Sequence, residues 1–415
     1  MSIRIPGCGD VDLRSPVNVE SVVAHPAFQM LLHKSQLGVA RTVFPGATHS
    51  RLEHSLGAFA RTAEFMVRQE RLGLVNAQDV VDVSVYGLIH DIGHPALSHT
   101  LEPVLERDHH DIGVRRIKEI GTALEASGTS AEKQIQLLDK KHPLTAVVSD
   151  SYLGMEKLDY LWRDAYHVGY GGLPEINAIT SNLTIHDGKL LLSKRAYQEG
   201  LDLVRFYQKM YERVYLAARS QYASRLMQKL YERMLKTGEI DEASLAEMID
   251  SEFEGRGANS RDPITASLFS QYKTGQLPWT VLTFCEAPYV QSHVRLEKPT
   301  QQVVGIPTDD FEAMKKNVAW KQAARFEERI ATLVGGKPED VYVIPAPEAR
   351  RFGIPMINVI DGITILPLAE VAPEIKSLTE AGKRVTAIRV ATNDPAAGKN
   401  IFKKSDDIRA LLLFP

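Results

Sequence analysis

Apolar positions recur at intervals of three and four residues along most of the first half of the chain, and short β-branched runs take over near its two ends. In RLEHSLGAFARTAEFMVRQERLG, Leu52, Leu56, Phe59, Ala63 and Met66 fall on one face, the stripe of an amphipathic helix, with His54 off it. The next segment, DVVDVSVYGLIHDIG, is apolar almost throughout and meets Gly93 and Pro95, which predicts a buried helix with a sharp stop. Helical patterns follow around GVRRIKEIGTAL, around SDSYLGMEKLDYLWRDAYHV and from Tyr197 to Leu235, so the text from Val22 to about Leu235 reads as mostly helical. SGTSAEKQ and EGRGANSRDP carry turn formers and read as surface excursions.

Residues 1–20 hold two short β-branched pieces, SIRIP and VDL, consistent with a small hairpin. After about Pro299, the runs QQVVGIP, DVYVIPAP, MINVIDGITILPL and RVTAIRVAT alternate with helical text such as FEAMKKNVAWKQAARFEERIATLV. The expectation is a mainly α fold: a helical domain over residues 1–299 and a smaller C-terminal α+β lobe over 300–415. A chain of 415 residues exceeds the size at which one core usually stops growing.

Composition changes this picture little. A formal charge of −3 argues against a protein whose main task is gripping nucleic acid by its phosphates, although KKNVAWKQAAR, EARRFG and GKNIFKKS leave local basic text. Cys8 and Cys285 are too few for a disulfide framework. No run of 18 apolar residues occurs, and MSIRIPGCGD lacks the apolar core of a signal peptide, so the expected location is the cytoplasm, off the membrane.

Histidines change it more. Seven of the 13 (49, 54, 90, 94, 99, 109 and 110) fall within 62 residues, three of them in the apolar stretch YGLIHDIGHPALSH. Burying ionisable groups costs several kcal/mol unless they are paired or bound to a metal. A lone buried histidine is usually a hydrogen-bonded core residue; three in ten residues, with a further R-x-x-H upstream, read as a site. On a continuous helix His90 and His94 share a face one turn apart, with Asp91 rotated by about 100°. His54 from the preceding helix and a carboxylate of EKLDYLWRD, Glu156 or Asp159, would complete two imidazoles and two carboxylates. That set suits Mn²⁺, Fe²⁺, Mg²⁺, Co²⁺ or Ni²⁺ better than a structural zinc. Arg51 precedes His54 by one turn and Lys157 flanks Glu156, both suited to phosphate; Tyr160 and Asp164, four apart, offer a ring and an acceptor to a nucleoside.

FQMLLHKSQLG, VFPGATHSRLEHSLG, HDIGHPALSH, HHDIG and EKLDYLWRDAYHVG, in that order, resemble the HD-domain phosphohydrolases, and more narrowly the deoxynucleoside triphosphate triphosphohydrolases, over about residues 10–235. The resemblance implies an HD-domain helical core with a divalent metal on His54, His90, Asp91 and Glu156, the last an Asp in most of the family, with Asp159 as the fallback ligand at the substrate's edge. It implies catalytic roles for His94, His99, His110 and Asp111 with Glu102 beside them, phosphate contacts from Arg51 and Lys157, and sugar or base contacts from Gln36, Leu37, Tyr160 and Asp164. Tyr222 matches the tyrosine that excludes ribonucleotides. Ala24 and Leu32 stand where activated members read a guanine nucleotide, which argues against that activation. Val214 stands in place of a second phosphate-binding arginine, with Arg213 and Arg219 as neighbours. The implied reaction is dNTP hydrolysis to deoxynucleoside and triphosphate by a homo-oligomer, dimer or tetramer. Rival readings are a nucleotidase or phosphodiesterase, and an inactive nucleotide- or nucleic-acid-binding regulator.

Overall fold

The computed structural model describes residues 1–106, 109–294, 301–347 and 356–414. By compactness the chain forms two units of interleaved segments: Met1–Met210, Ala243–Phe253 and Ile354–Lys376 in the first, Tyr211–Glu242, Glu254–Gly353 and Ser377–Pro415 in the second. Neither unit coincides with residues 1–299 or 300–415.

In the first unit, α1 (Arg51–Arg71) begins where the Ser50 hydroxyl accepts the Glu53 N–H, and it is buried around most of its circumference, polar His54, Arg51 and Arg61 included. Beside it lies α2 (Ala77–Ile89), opened by the reciprocal Asn76–Asp79 capping box. Farther on come α3 (His109–Glu119) and α4 (Met155–Val168), the latter packed on α1 and stopped by left-handed Gly169. Where α1 and α4 meet, Gly57 is required: a Cβ there would stand 2.2 Å from both Arg163 Nη2 and Asp159 Oδ1.

Three sequence expectations change. The apolar helix stops at Ile89, so His90 and His94 do not share a helical face; Ile92 and His94 donate to Ile89 and Asp91, a tighter i−3 pattern that the following Pro95 enforces by excluding its predecessor from a continuing helix. Gly93 sits against α3, where a Cβ would lie 2.1 Å from the His109 carbonyl. Inside the stretch read as helical, Leu183–His186 and Lys189–Ser193 form a hairpin about Asp187-Gly188, both at positive φ (47° and 71°), the type I′ signal of an Asp-Gly pair. That hairpin adds Asn358–Asp361 and Thr364–Pro367 to make a four-stranded sheet. Most of EGRGANSRDP is not a loop, since the helix Asp250–Ala258 takes EGRGA and Asp262 caps the next helix. The N-terminal hairpin, Ser2–Ile5 with Gly9–Asp12, is as expected.

The second unit centres on a sheet ordered Gln302–Ile306, Trp279–Glu286, Ile388–Thr392 and Val341–Ile344, with Leu282, Phe284, Phe311, Phe326 and Val390 in its core. Its long helix α5 (Ala218–Thr237) carries buried Arg225, which forks onto Glu327 and Glu232.

Gly57→Ala is expected to destabilise the protein by about 1–3 kcal/mol through overpacking, with a matching fall in the urea midpoint; an unchanged midpoint would mean that Asp159 and Arg163 yield freely.

Candidate metal centre

α1, the end of α2 and the start of α4 bring four predicted ligands together. His54, His90 and Asp91 offer ligand atoms all within 4.8 Å of one another, and all three residues are buried. Glu156, in the first turn of α4, reaches His90 Nε2 at 3.3 Å.

Tautomers make the cluster informative. A carbonyl only accepts, so His90 Nδ1 donates to Gly87 O at 2.9 Å; a carboxylate accepts likewise, so His54 Nδ1 donates to Asp159 Oδ2 at 2.9 Å. In the neutral form of each ring, the form that binds a metal, Nε2 then carries the lone pair, and the two Nε2 atoms face each other at 3.2 Å, with Asp91 oxygens 3.4 Å from His90 and 3.7 Å from His54. Lone pairs and a carboxylate repel unless a cation stands among them. Ligand atoms ~2.1 Å from an ion and at right angles to one another lie about 3 Å apart, so spacing and chemistry both fit a divalent metal.

Asp159 has another task. Oδ2 orients His54 and also takes Arg163 Nε at 2.9 Å, while Oδ1 takes Arg61 at 3.2 Å and Arg163 Nη2 at 2.8 Å, so Asp159 is engaged throughout as the anion that fixes the His54 Nδ1 proton rather than standing open to a metal or substrate. Burial alone would raise its carboxyl; the Arg163 charge, the His54 hydrogen bond and Arg61 hold it far below the usual range instead. Asp91, also buried, is likewise held low by Arg51, whose Nη1 donates to it.

Beside the ligands lies a histidine cluster with one substitution in the expected cast. His94 stacks on His109 (centroids 4.4 Å, 12° between planes) and meets His99 edge-on at 4.6 Å. Glu102 accepts from His99 Nδ1 at 2.6 Å and from His109 Nδ1. His110 instead reaches Asp139 at 3.0 Å and Asp111 is exposed. The cause is helical phase: His109 shares the face of Gly113, four residues on and packed on Gly93, which turns the next two residues away by about 100° and 200°. Burial and then the Arg51 charge push His94 well below the ordinary histidine range, keeping it neutral; His109 is raised by Glu102 against its burial.

Arg51 Nε donates to Ser98 Oγ at 2.8 Å, while its Nη2 is buried with no hydrogen-bond partner among the described residues. Lys157 donates to the Tyr160 hydroxyl at 2.7 Å and lies 5.0 and 5.2 Å over the Tyr160 and Tyr207 rings; Tyr160 stands 6.3 Å from the His54 ring. Gln36 is buried, its Oε1 a spare acceptor among the described residues, and Leu37 next to it is half-buried. Asp164 differs from expectation: it is buried and its Oδ1 is bonded to His49 Nε2 at 2.8 Å, a ring that stacks on His167. Tyr222 belongs to the second unit, where its hydroxyl bonds Thr280. Lys34 was not anticipated; its buried Nζ donates to His94 O at 2.6 Å, and burial together with Arg116 pushes the ammonium down to about 8.

Residues 51–159 match the family model described as "HD domain", from the first residue of α1 to the Asp that orients His54. Over these residues the chain is similar to HD domains. The chain is 30% identical over 234 residues to an uncharacterized protein of Methanocaldococcus jannaschii (55% of this chain, 49% of that one), and 29% identical over 209 residues to the human deoxynucleoside triphosphate triphosphohydrolase SAMHD1 (40% and 33%). It thus spans half or less of the length of these relatives. A crystal structure of a phosphohydrolase from Bacteroides thetaiotaomicron has the same fold, with a TM-score of 0.71 at 19% identity over 95% of this chain and all of that one. No helix among the described residues is long and apolar enough to cross a membrane.

Replacing His90 and Asp91 together by Ala is expected to abolish bound divalent metal, read by atomic emission on the purified protein; unchanged metal would refute the ligand assignment. Lys34 generates a pH prediction. Its folded pKa lies near 8 against the ordinary 10.5, so between those values the unfolded chain binds more protons and stability rises with pH. Relative to Lys34→Met, urea stability of the wild type is expected to climb by up to about 3 kcal/mol from pH 8 to 10.5; a flat difference would refute the buried, easily deprotonated ammonium.

Proposed function

We propose that this protein hydrolyses deoxynucleoside triphosphates at the α-phosphate, giving a deoxynucleoside and inorganic triphosphate. The observation that carries the reading is the His54–His90–Asp91 cluster with the unpartnered Arg51 Nη2 next to it. The similarity to a named dNTP triphosphohydrolase supports the choice of substrate.

A divalent ion held by His54, His90, Asp91 and Glu156 would polarise a phosphoryl oxygen and acidify water. The chain's own groups do the rest. Arg51 offers its free Nη2 to the phosphates and Lys157 adds a point charge nearby. His99 is the exposed member of the histidine cluster and protonates the departing 5′ oxygen. Glu102 accepts from the Nδ1 atoms of both His99 and His109, which fixes the His99 ring and leaves its Nε2 to give the proton. Neutral His94, stacked on His109, edge-on to His99 and with Nε2 3.2 Å from Asp91 Oδ1, accepts a proton from the attacking water. Tyr160 presents its ring to the nucleoside.

A second reading, a nucleotidase or phosphodiesterase on a shorter phosphate, is favoured by two facts. Asp164 is engaged by His49 rather than open to a sugar, and Val214, where a second phosphate-binding arginine was sought, is a buried apolar residue.

Metal-loaded protein incubated with each dNTP in Mn²⁺, Mg²⁺, Fe²⁺ and Co²⁺ is expected to release deoxynucleoside and triphosphate in equal amounts, followed by chromatography. Release of inorganic monophosphate selects the second reading, and neither product with any metal rejects the first.

A further inference from the structure

Two backbone amides from distant parts of the first unit converge on one carboxylate. Asp250, buried at the start of its helix, accepts the Ser35 N–H on Oδ2 at 2.8 Å and the Leu97 N–H on Oδ1 at 2.7 Å. Leu97 and Ser98 are consecutive non-glycine residues at φ 58° and 52°, a conformation L residues keep only where their surroundings impose it. A carboxylate fixed on the Leu97 amide is such an imposition.

What the turn delivers is a guanidinium. Ser98 Oγ donates to Ser35 O at 2.7 Å and accepts Arg51 Nε at 2.8 Å, while the Arg51 N–H donates to Lys34 O at 2.9 Å. Lys34 in turn donates to His94 O, so residues 34–35 and 94–98 are tied together around Arg51, and Asp250 joins the two ties from behind. Three residues earlier, Glu247 takes Arg115 at 2.5 Å and Arg116 at 2.6 Å from α3, the helix that begins at His109.

We propose that Asp250 is a positioning residue for Arg51: by holding the left-handed Leu97–Ser98 turn against Ser35, it aims the free Nη2 at the phosphates. Asp250 touches neither Arg51 nor the ligands and acts through Ser98. The proposal rests on the reading of Arg51 as a phosphate contact, and it deepens that reading by naming what sets the guanidinium's direction.

The test uses the full chain as Asp250→Asn, Ser98→Ala and both together. The amide keeps the shape of Asp250 but accepts from only one of the two N–H groups, its own NH₂ facing the other; Ser98→Ala removes the Arg51 acceptor without touching Asp250. Three readouts are taken: amide exchange at Ser35 and Leu97, bound metal, and the dissociation constant for inorganic tripolyphosphate by calorimetry. Asp250→Asn is expected to accelerate exchange at one of the two amides and to weaken tripolyphosphate about tenfold with metal content unchanged. Ser98→Ala should weaken it comparably, and the double variant should be no weaker than the weaker single, because both act on one path. Unchanged exchange in Asp250→Asn refutes the brace. Faster exchange with unaltered tripolyphosphate binding makes Asp250 structural only and overturns the proposal, as would additive losses. A wild type that protects both amides yet binds no tripolyphosphate refutes the phosphate reading of Arg51, and the proposal falls with it while the brace itself stands.

Discussion

The ionic hydrogen bond between Asp159 and His54 Nδ1 decides how the candidate centre is wired. Because a carboxylate holds the Nδ1 proton, His54 turns Nε2 to the other candidate ligands; because the Gly87 carbonyl does the same for His90, the neutral rings bring two lone pairs together in a dry space. Such an arrangement has high energy by itself and low energy around a cation. Arg163 and Arg61 keep Asp159 ionised in a place where burial alone would neutralise it, and Gly57 leaves the room for that clamp to approach α1. Charge, tautomer and backbone clearance thus act together, and losing any one of them would let His54 rotate or change its proton.

Electrostatics then divides the histidines. His94 lies near Arg51 and deep in protein, so the imidazolium is unfavourable; His109 faces Glu102, so it is favourable. Two stacked rings 4.4 Å apart are therefore pushed in opposite directions by their surroundings, the asymmetry that acid–base work requires.

Much of this was legible in the chain. The His of R-x-x-H and the His-Asp doublet lie together, and Glu156, which residue types alone left open against Asp159 and the family resemblance chose, stands 3.3 Å from His90. Helix α1 was readable from its stripe, and the stop after α2 from Gly93 and Pro95. What was not legible turned on phase and partners. The His109–His110 doublet differs by one residue, and only the packing of Gly113 on Gly93 decides which ring faces inward. Asp159 and Asp164 look like free acids on paper and are spoken for by Arg163, Arg61 and His49, residues whose approach depends on how α1 and α4 cross. The hairpin about Asp187-Gly188 had an audible turn signal inside a stretch read as helix, and leucine-rich LLLS suits either state.

Interleaving gives the architecture a bearing on inheritance. The recognisable stretch, residues 51–159, holds the candidate metal ligands, yet Lys34, Ser35 and Asp250 lie outside it, the last on a segment flanked in sequence by residues of the second unit. A recombination event that moved residues 51–159 alone into another gene would carry the chemistry and leave its scaffolding behind. A homologue that keeps the histidines but lacks a counterpart of Asp250 would need another way to hold the same turn.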